Sequence, residues 1–149
     1  LESVILGNEN RKKNISKKIL NKLDEQTENQ IGILGVTFKA ETDDMRESPS
    51  LIIIPDLQEN GMNISVYDPE GEKEASKILK DVNWKKTAYE AAENVDCLVI
   101  LTDWEEFKNL DLDKIKNSMK RPLIYDFRNI FDPDMMTELG FEYFSIGRG

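Results

Sequence analysis

The stretch Ile31–Pro69, IGILGVTFKAETDDMRESPSLIIIPDLQENGMNISVYDP, decides the fold. It opens on a short apolar run, Ile31 to Gly35, that ends at glycine, as a buried strand does. A loop follows, and Ser48-Pro49 then signals a helix start, with serine as N-cap and proline at the first helical position, where a missing N–H costs nothing. Asn60-Gly61 closes that helix, and Asn63–Tyr67 forms a second strand before Asp68-Pro69 repeats the cap-and-proline pair. Pro55 conflicts with this reading, because a proline inside a helix removes one backbone bond. Strand, helix and strand in this order make a βαβ unit.

The alternation continues outward in both directions. Helices are expected from Asp68-Pro69 to about Leu79, over Thr87–Glu93, over Asp111–Met119 and over Asp132–Leu139. Strands are expected at Cys97–Leu101, Pro122–Tyr125 and Phe141–Ser145. These strands are apolar on both faces, which marks a parallel sheet covered on both sides. Before Ile31, the recurrence of Ile15, Ile19 and Leu23 every four residues predicts a helix through the first 26 or so positions, followed by a polar break from Glu25 to Gln30. The fold class is therefore α/β: a Rossmann-like, doubly wound, mainly parallel sheet preceded by an N-terminal helix. The expected division is 1–29 for the helical lead and 30–149 for the sheet domain.

Composition narrows the function. The chain has 149 residues, about one domain, and a formal charge of −9 that disfavours nucleic acid as a partner. A pocket can still be locally positive for a small anion. A single cysteine allows no internal disulfide, and the start of the chain lacks the pattern of a signal peptide, so a reducing, cytoplasmic setting is expected. No run approaches the 18 or so apolar residues of a membrane-spanning helix. Histidine is absent, which removes the commonest general base and the commonest metal ligand; no metal site is expected.

In such a sheet, ligands bind beyond the carboxyl ends of the strands, near the switch in strand order. The residues there are Thr37, Phe38, Lys39 and the run to Arg46 after the first strand, Asp68 after the second, Thr102-Asp103-Trp104 after Leu101, and Asp126-Phe127-Arg128 after Tyr125. Lys39, Arg46 and Arg128 are expected to converge as a phosphate clamp, Arg as a fork and Lys as a point charge. Each has an ordinary alternative as a solvated or loop-tying residue. Asp68 could meet a ribose hydroxyl, but its place before Pro69 favours helix capping. Cys97 and Trp104 read as packing residues. The first turn, GILGVTFKAETDD, carries neither a dinucleotide glycine fingerprint nor a phosphate-loop motif, so independent NAD binding is not expected. The residues alone support an α/β domain that binds a phosphorylated small molecule.

Five motifs in order, the stretch from Gly32 to Gly61, VYDPEG, DCLVILTDWEEF, YDFRNIFDP and FEYFSIGR, resemble the C-terminal domain of the UDP-glucose/GDP-mannose dehydrogenases. The likeness runs from about Ile31 to the end, and the first 30 residues are similar to the end of that family's central linking helix. The resemblance implies an NAD-dependent, two-step oxidation of a nucleotide sugar, the C6 alcohol going to a carboxylate, with UDP-glucose the expected substrate. GDP-mannose and UDP-N-acetylmannosamine enzymes share the motifs, and a free-standing nucleotide-sugar binding module is the other alternative. It implies that Phe38, Lys39 and Arg128 contact the UDP-sugar and that Arg46 reaches NAD. Asp103 stands where many members have Glu and is given no role. The expected partners are an N-terminal NAD-binding domain of the same enzyme and a second copy forming a homodimer. The family's catalytic cysteine motif is missing, since Cys97 lies in the wrong element. The expectation is thus a domain that holds substrate and does not oxidise it.

Overall fold

The computed structural model describes residues 14–24, 27–37 and 48–145. Six strands form one sheet in the order β3-β2-β1-β4-β5-β6. They are β1 (Gln30–Leu34), β2 (Asn63–Tyr67), β3 (Asn83–Trp84), β4 (Cys97–Ile100), β5 (Leu123–Asp126) and β6 (Glu142–Ser145). Every pairing is parallel, with Ile33 opposite both Val66 and Val99, and Ile100 opposite Asp126. The expected "mainly parallel" sheet is wholly parallel, and its order is that of the doubly wound Rossmann arrangement.

Side chains alternate across each strand, so a sheet covered on both faces needs two cores. Ile31, Ile33, Val66, Cys97, Val99 and Tyr125 face one core; Leu34, Leu98, Ile100 and Ile124 face the other. The helix over residues 14–22, here α1, covers the first face together with α2 (Ser50–Glu59) and α3 (Glu72–Ala75). The second is covered by α4 (Ala88–Ala92), α5 (Glu105–Lys108), α6 (Leu112–Ser118) and α7 (Pro133–Glu138). Gly32 is needed beneath α4, because a Cβ there would overlap the Ala91 carbonyl.

Helix starts follow local chemistry. Thr87 accepts from Glu90 N–H at 3.1 Å, Asp111 from Lys114 N–H at 3.2 Å, and Asp132 from Met135 N–H at 2.9 Å, with Pro133 at the first helical position. At α2 the expectation shifts by one residue. Pro49 occupies the cap position, and Ser48 Oγ both accepts from Ser50 N–H at 3.3 Å and donates to the Val36 carbonyl at 2.5 Å. Ser50 Oγ donates to the same carbonyl at 2.7 Å. The two serines thus fasten the start of α2 to the end of β1. Helix α2 continues past Pro55 to Glu59 with Ile53, Ile54 and Leu57 fully buried. Three such side chains, each contributing roughly 2 kcal/mol, outweigh a proline penalty of about 3 kcal/mol.

Two expectations are corrected here. The helix proposed from Asp68-Pro69 to Leu79 is a single α-turn, Glu72–Ala75, which starts only after the turn that Asp68 closes by accepting from Glu70 and Gly71 N–H. The two-residue edge strand β3 was missed, being too short to show a period.

Helix α1 stops at residue 22, short of the expected 26, and docks firmly. Ile19, Leu20 and Leu23 are buried, on the order of 5 kcal/mol of apolar burial as an upper bound. The Tyr125 hydroxyl donates to the Lys18 carbonyl at 3.1 Å, and Lys22 Nζ lies 4.8 Å from the centre of the Phe144 ring. Arg121 closes the attachment: Nε and Nη2 grip Glu142 at 2.8 and 3.0 Å, while Nη1 donates to Glu28 at 2.8 Å and to the Lys22 carbonyl at 2.7 Å.

Candidate functional site at the carboxyl edge of the sheet

The strand order reverses between β1 and β4, so the loops after these strands and their neighbours form the crevice where this fold takes ligands. The turn after β1 is tightly built. Gly35 has φ +87°, and a side chain there would overlap Thr102 after β4. Thr102 Oγ1 donates to the Thr37 carbonyl at 3.3 Å, joining the two sides at their base.

Asp68, buried at the end of β2, accepts four backbone N–H groups: Val36 at 2.8 Å and Thr37 at 3.4 Å on Oδ2, and Glu70 at 2.9 Å and Gly71 at 2.6 Å on Oδ1. It is therefore neither a free ribose acceptor nor only a helix cap. It holds the first two crossover loops together. Asp126 does the same after β5. Fully buried, it accepts from Arg128 N–H at 3.0 Å, Ile130 N–H at 2.9 Å, Phe131 N–H at 3.3 Å and the Tyr143 hydroxyl at 2.6 Å. Neither carboxylate was recognised from the sequence as a loop clamp. Their shared position, directly at or after a strand end, was the available signal.

The Asp126 loop presents Arg128 at the crevice with its backbone fixed and its side chain open. Among the described residues its guanidinium makes no side-chain hydrogen bond and has one ion-pair neighbour, Asp103 Oδ1 at 3.6 Å. Asp103 follows β4, whose end is paired with that of β5. Phe38, Lys39 and Arg46, the other site residues expected from the sequence, lie outside the described residues.

Trp104 and Cys97 are packing residues, as expected. Trp104 is buried, its indole N–H lacking an acceptor among the described residues. Burial pushes the Cys97 thiol well above its usual range, which leaves it protonated and poorly nucleophilic. A shallow cleft of about 280 Å³ opens past β2 and β3, between Tyr67, Pro69, Lys73 and Lys85. It is separated from the Arg128 loop by the β1 and β4 positions, roughly 14 Å at ordinary strand spacing. The Tyr67 hydroxyl donates to Glu106 at 2.6 Å; burial and this carboxylate both push its pKa up.

Among the described residues the acid after β2 is spent on backbone amides and is not free for the ribose contact of a dinucleotide site. Among the described residues no cluster of His, Cys, Asp and Glu could hold a metal, and no helix is long and apolar enough to cross a membrane.

Comparison with known proteins finds relatives along almost the whole chain. A UDP-glucose 6-dehydrogenase of Rhizobium meliloti is 41% identical over 99% of this chain, which covers 34% of that relative. A UDP-glucose 6-dehydrogenase of Bacillus subtilis is also 41% identical over 99% of the chain, covering 32% of its length. The chain thus spans about a third of the curated relatives it matches. A solved UDP-D-ManNAc dehydrogenase from Pyrococcus horikoshii superposes with a TM-score of 0.69 at 29% identity, over 90% of this chain and 28% of that one. Residues 32–133 match the model of the UDP-glucose/GDP-mannose dehydrogenase family, UDP binding domain. With a doubly wound sheet, an open arginine at its carboxyl edge and that match, this chain belongs to the UDP-glucose/GDP-mannose dehydrogenase family and carries its UDP binding domain.

Proposed function

We propose that this chain is the UDP-sugar-holding part of an NAD-dependent UDP-glucose dehydrogenase, which oxidises UDP-glucose to UDP-glucuronate in two steps. One observation carries the reading: Arg128 stands at the carboxyl edge on a loop clamped by a buried aspartate, with its guanidinium free of hydrogen bonds among the described residues. An arginine so placed suits a diphosphate, which it can meet with two parallel bonds. Phe38 and Lys39 complete the substrate contacts in this proposal, and Arg46 reaches NAD. UDP-glucose is preferred over the N-acetylmannosamine nucleotide because UDP-glucose 6-dehydrogenases are 41% identical over 99% of the chain.

The oxidation itself belongs to residues outside this chain, on an N-terminal NAD-binding domain. Residues 1–29 are proposed as the end of the helix that links it to the domain at 30–149, in a homodimeric, cytoplasmic enzyme. The test is calorimetric titration of the 149-residue chain with UDP, alongside an absorbance assay for NADH with UDP-glucose and NAD. Binding in the micromolar to millimolar range, weakened about tenfold by Arg128→Ala and without NADH formation, is expected. Equal binding by the Arg128→Ala chain, or NADH production by the chain alone, defeats the reading.

A further inference from the structure

Among the described residues three aspartates, Asp68, Asp103 and Asp126, sit at or just past the carboxyl ends of the sheet's strands, and they are used in two different ways. Asp68 and Asp126 are buried and saturated by backbone N–H groups and, for Asp126, the Tyr143 hydroxyl. Asp103 is built otherwise. Its side chain is 38% exposed, it caps no helix (the α5 cap position is Trp104, without a side-chain bond), and among the described residues it accepts no hydrogen bond. Its one charged neighbour there is Arg128, at 3.6 Å. Local folding therefore gives no reason for a carboxylate at this position, whereas the neighbouring arginine does.

We propose that Asp103 is the resident counter-ion of Arg128, a positioning residue that holds the guanidinium over the crevice and is exchanged for the phosphate of the incoming nucleotide. The inference rests on the reading of Arg128 as a ligand residue. The geometry fits an exchange better than a permanent pair. At 3.6 Å the contact is too long for a hydrogen bond, and both groups are more than a third exposed, so it is weak. A phosphate that approaches to about 2.8 Å makes charge-assisted, bidentate bonds and displaces it. The cost of the displacement and the nearby negative charge both lower affinity for anions, so Asp103 sets how much charge a ligand must bring.

The test uses UDP and inorganic pyrophosphate as probes, with titration calorimetry on the 149-residue chain and thermal midpoints to confirm folding. Asp103→Asn is expected to tighten UDP binding about twofold to fivefold at low salt, the range of a half-exposed ion pair. That gain shrinks as sodium chloride is raised, because exposed charges are screened. Asp103→Glu, which keeps the charge, should bind like the parent chain. In an Arg128→Ala background the gain from Asp103→Asn should fall below about twofold. Should Asp103→Asn leave UDP binding unchanged or weaken it while Arg128→Ala weakens it, the counter-ion role fails and the substrate reading stands. An undiminished gain in the Arg128→Ala background also overturns the counter-ion role. If Arg128→Ala has no effect, the reading of the site itself fails.

Discussion

Arg121 and Arg128 flank the same strand, and their side chains are 25% and 36% exposed, so burial barely separates them. Hydrogen bonding does. Arg121, before β5, makes four bonds: two to Glu142, one to Glu28 and one to the Lys22 carbonyl. Arg128, after β5, makes none among the described residues. The amino edge of the sheet thus uses its arginine to fasten α1, while the carboxyl edge leaves its arginine unsatisfied on a rigid loop. In a parallel sheet the two edges are chemically distinct, and a cation whose donors are already occupied is a poor ligand group.

The contrast can be broken first at the support of the open arginine. Asp126→Ala strands three backbone donors and the Tyr143 hydroxyl, and should destabilise the chain by about 4 kcal/mol, read as a fall in the urea midpoint. A loss under about 1 kcal/mol would show that the Arg128 loop does not depend on its clamp. Next comes the arginine that is spent. Arg121→Met should cost about 2 kcal/mol, discounted for the exposure of its partners, and leave the UDP affinity alone. Its mirror, Arg128→Met, should lower UDP affinity about tenfold, roughly 1.4 kcal/mol, and move stability by less than about 0.5 kcal/mol. If both substitutions behaved alike in the two assays, the division between the edges would collapse.

The smallest effect is a pH dependence. The hydrogen bonds from Arg121, with its positive charge, hold the Glu142 carboxyl below its ordinary value of 4.5. A folded pKa below the unfolded one gives stability that is present above the unfolded value and is lost as pH falls through the folded value. Acidification below about pH 4.5 should therefore destabilise the parent more steeply than the Arg121→Met chain, with urea midpoints against pH as the measurement. Parallel curves would show that Glu142 gains nothing from the arginine.

Much of the architecture was legible because it is local. Asp111 and Asp132 are N-caps at the expected positions, and the strands at Cys97 and Leu123 follow from unbroken apolar runs. What escaped reading was short or non-local. Strand β3 has two residues and exists by pairing with β2. The segment after Asp68 kept only one turn of its expected helix, and the reach of that aspartate 31 and 32 residues back to Thr37 and Val36 has no local signature. Arg128 was picked out because its position after a strand places it at the ligand edge whatever the details of packing.

The sequence by itself determined the alternation of strands and helices, the two-faced burial of the sheet and the placing of Arg128, since each depends on neighbours a few residues apart. Only the tertiary structure decided what the aspartates do. Asp68, Asp103 and Asp126 look alike in the chain, each at or just past a strand end. Two became buried clamps and one became the partner of an arginine, because a deciding partner of each comes from another strand or loop (Val36 and Thr37 for Asp68, Tyr143 for Asp126, Arg128 for Asp103), brought close only when the sheet has formed.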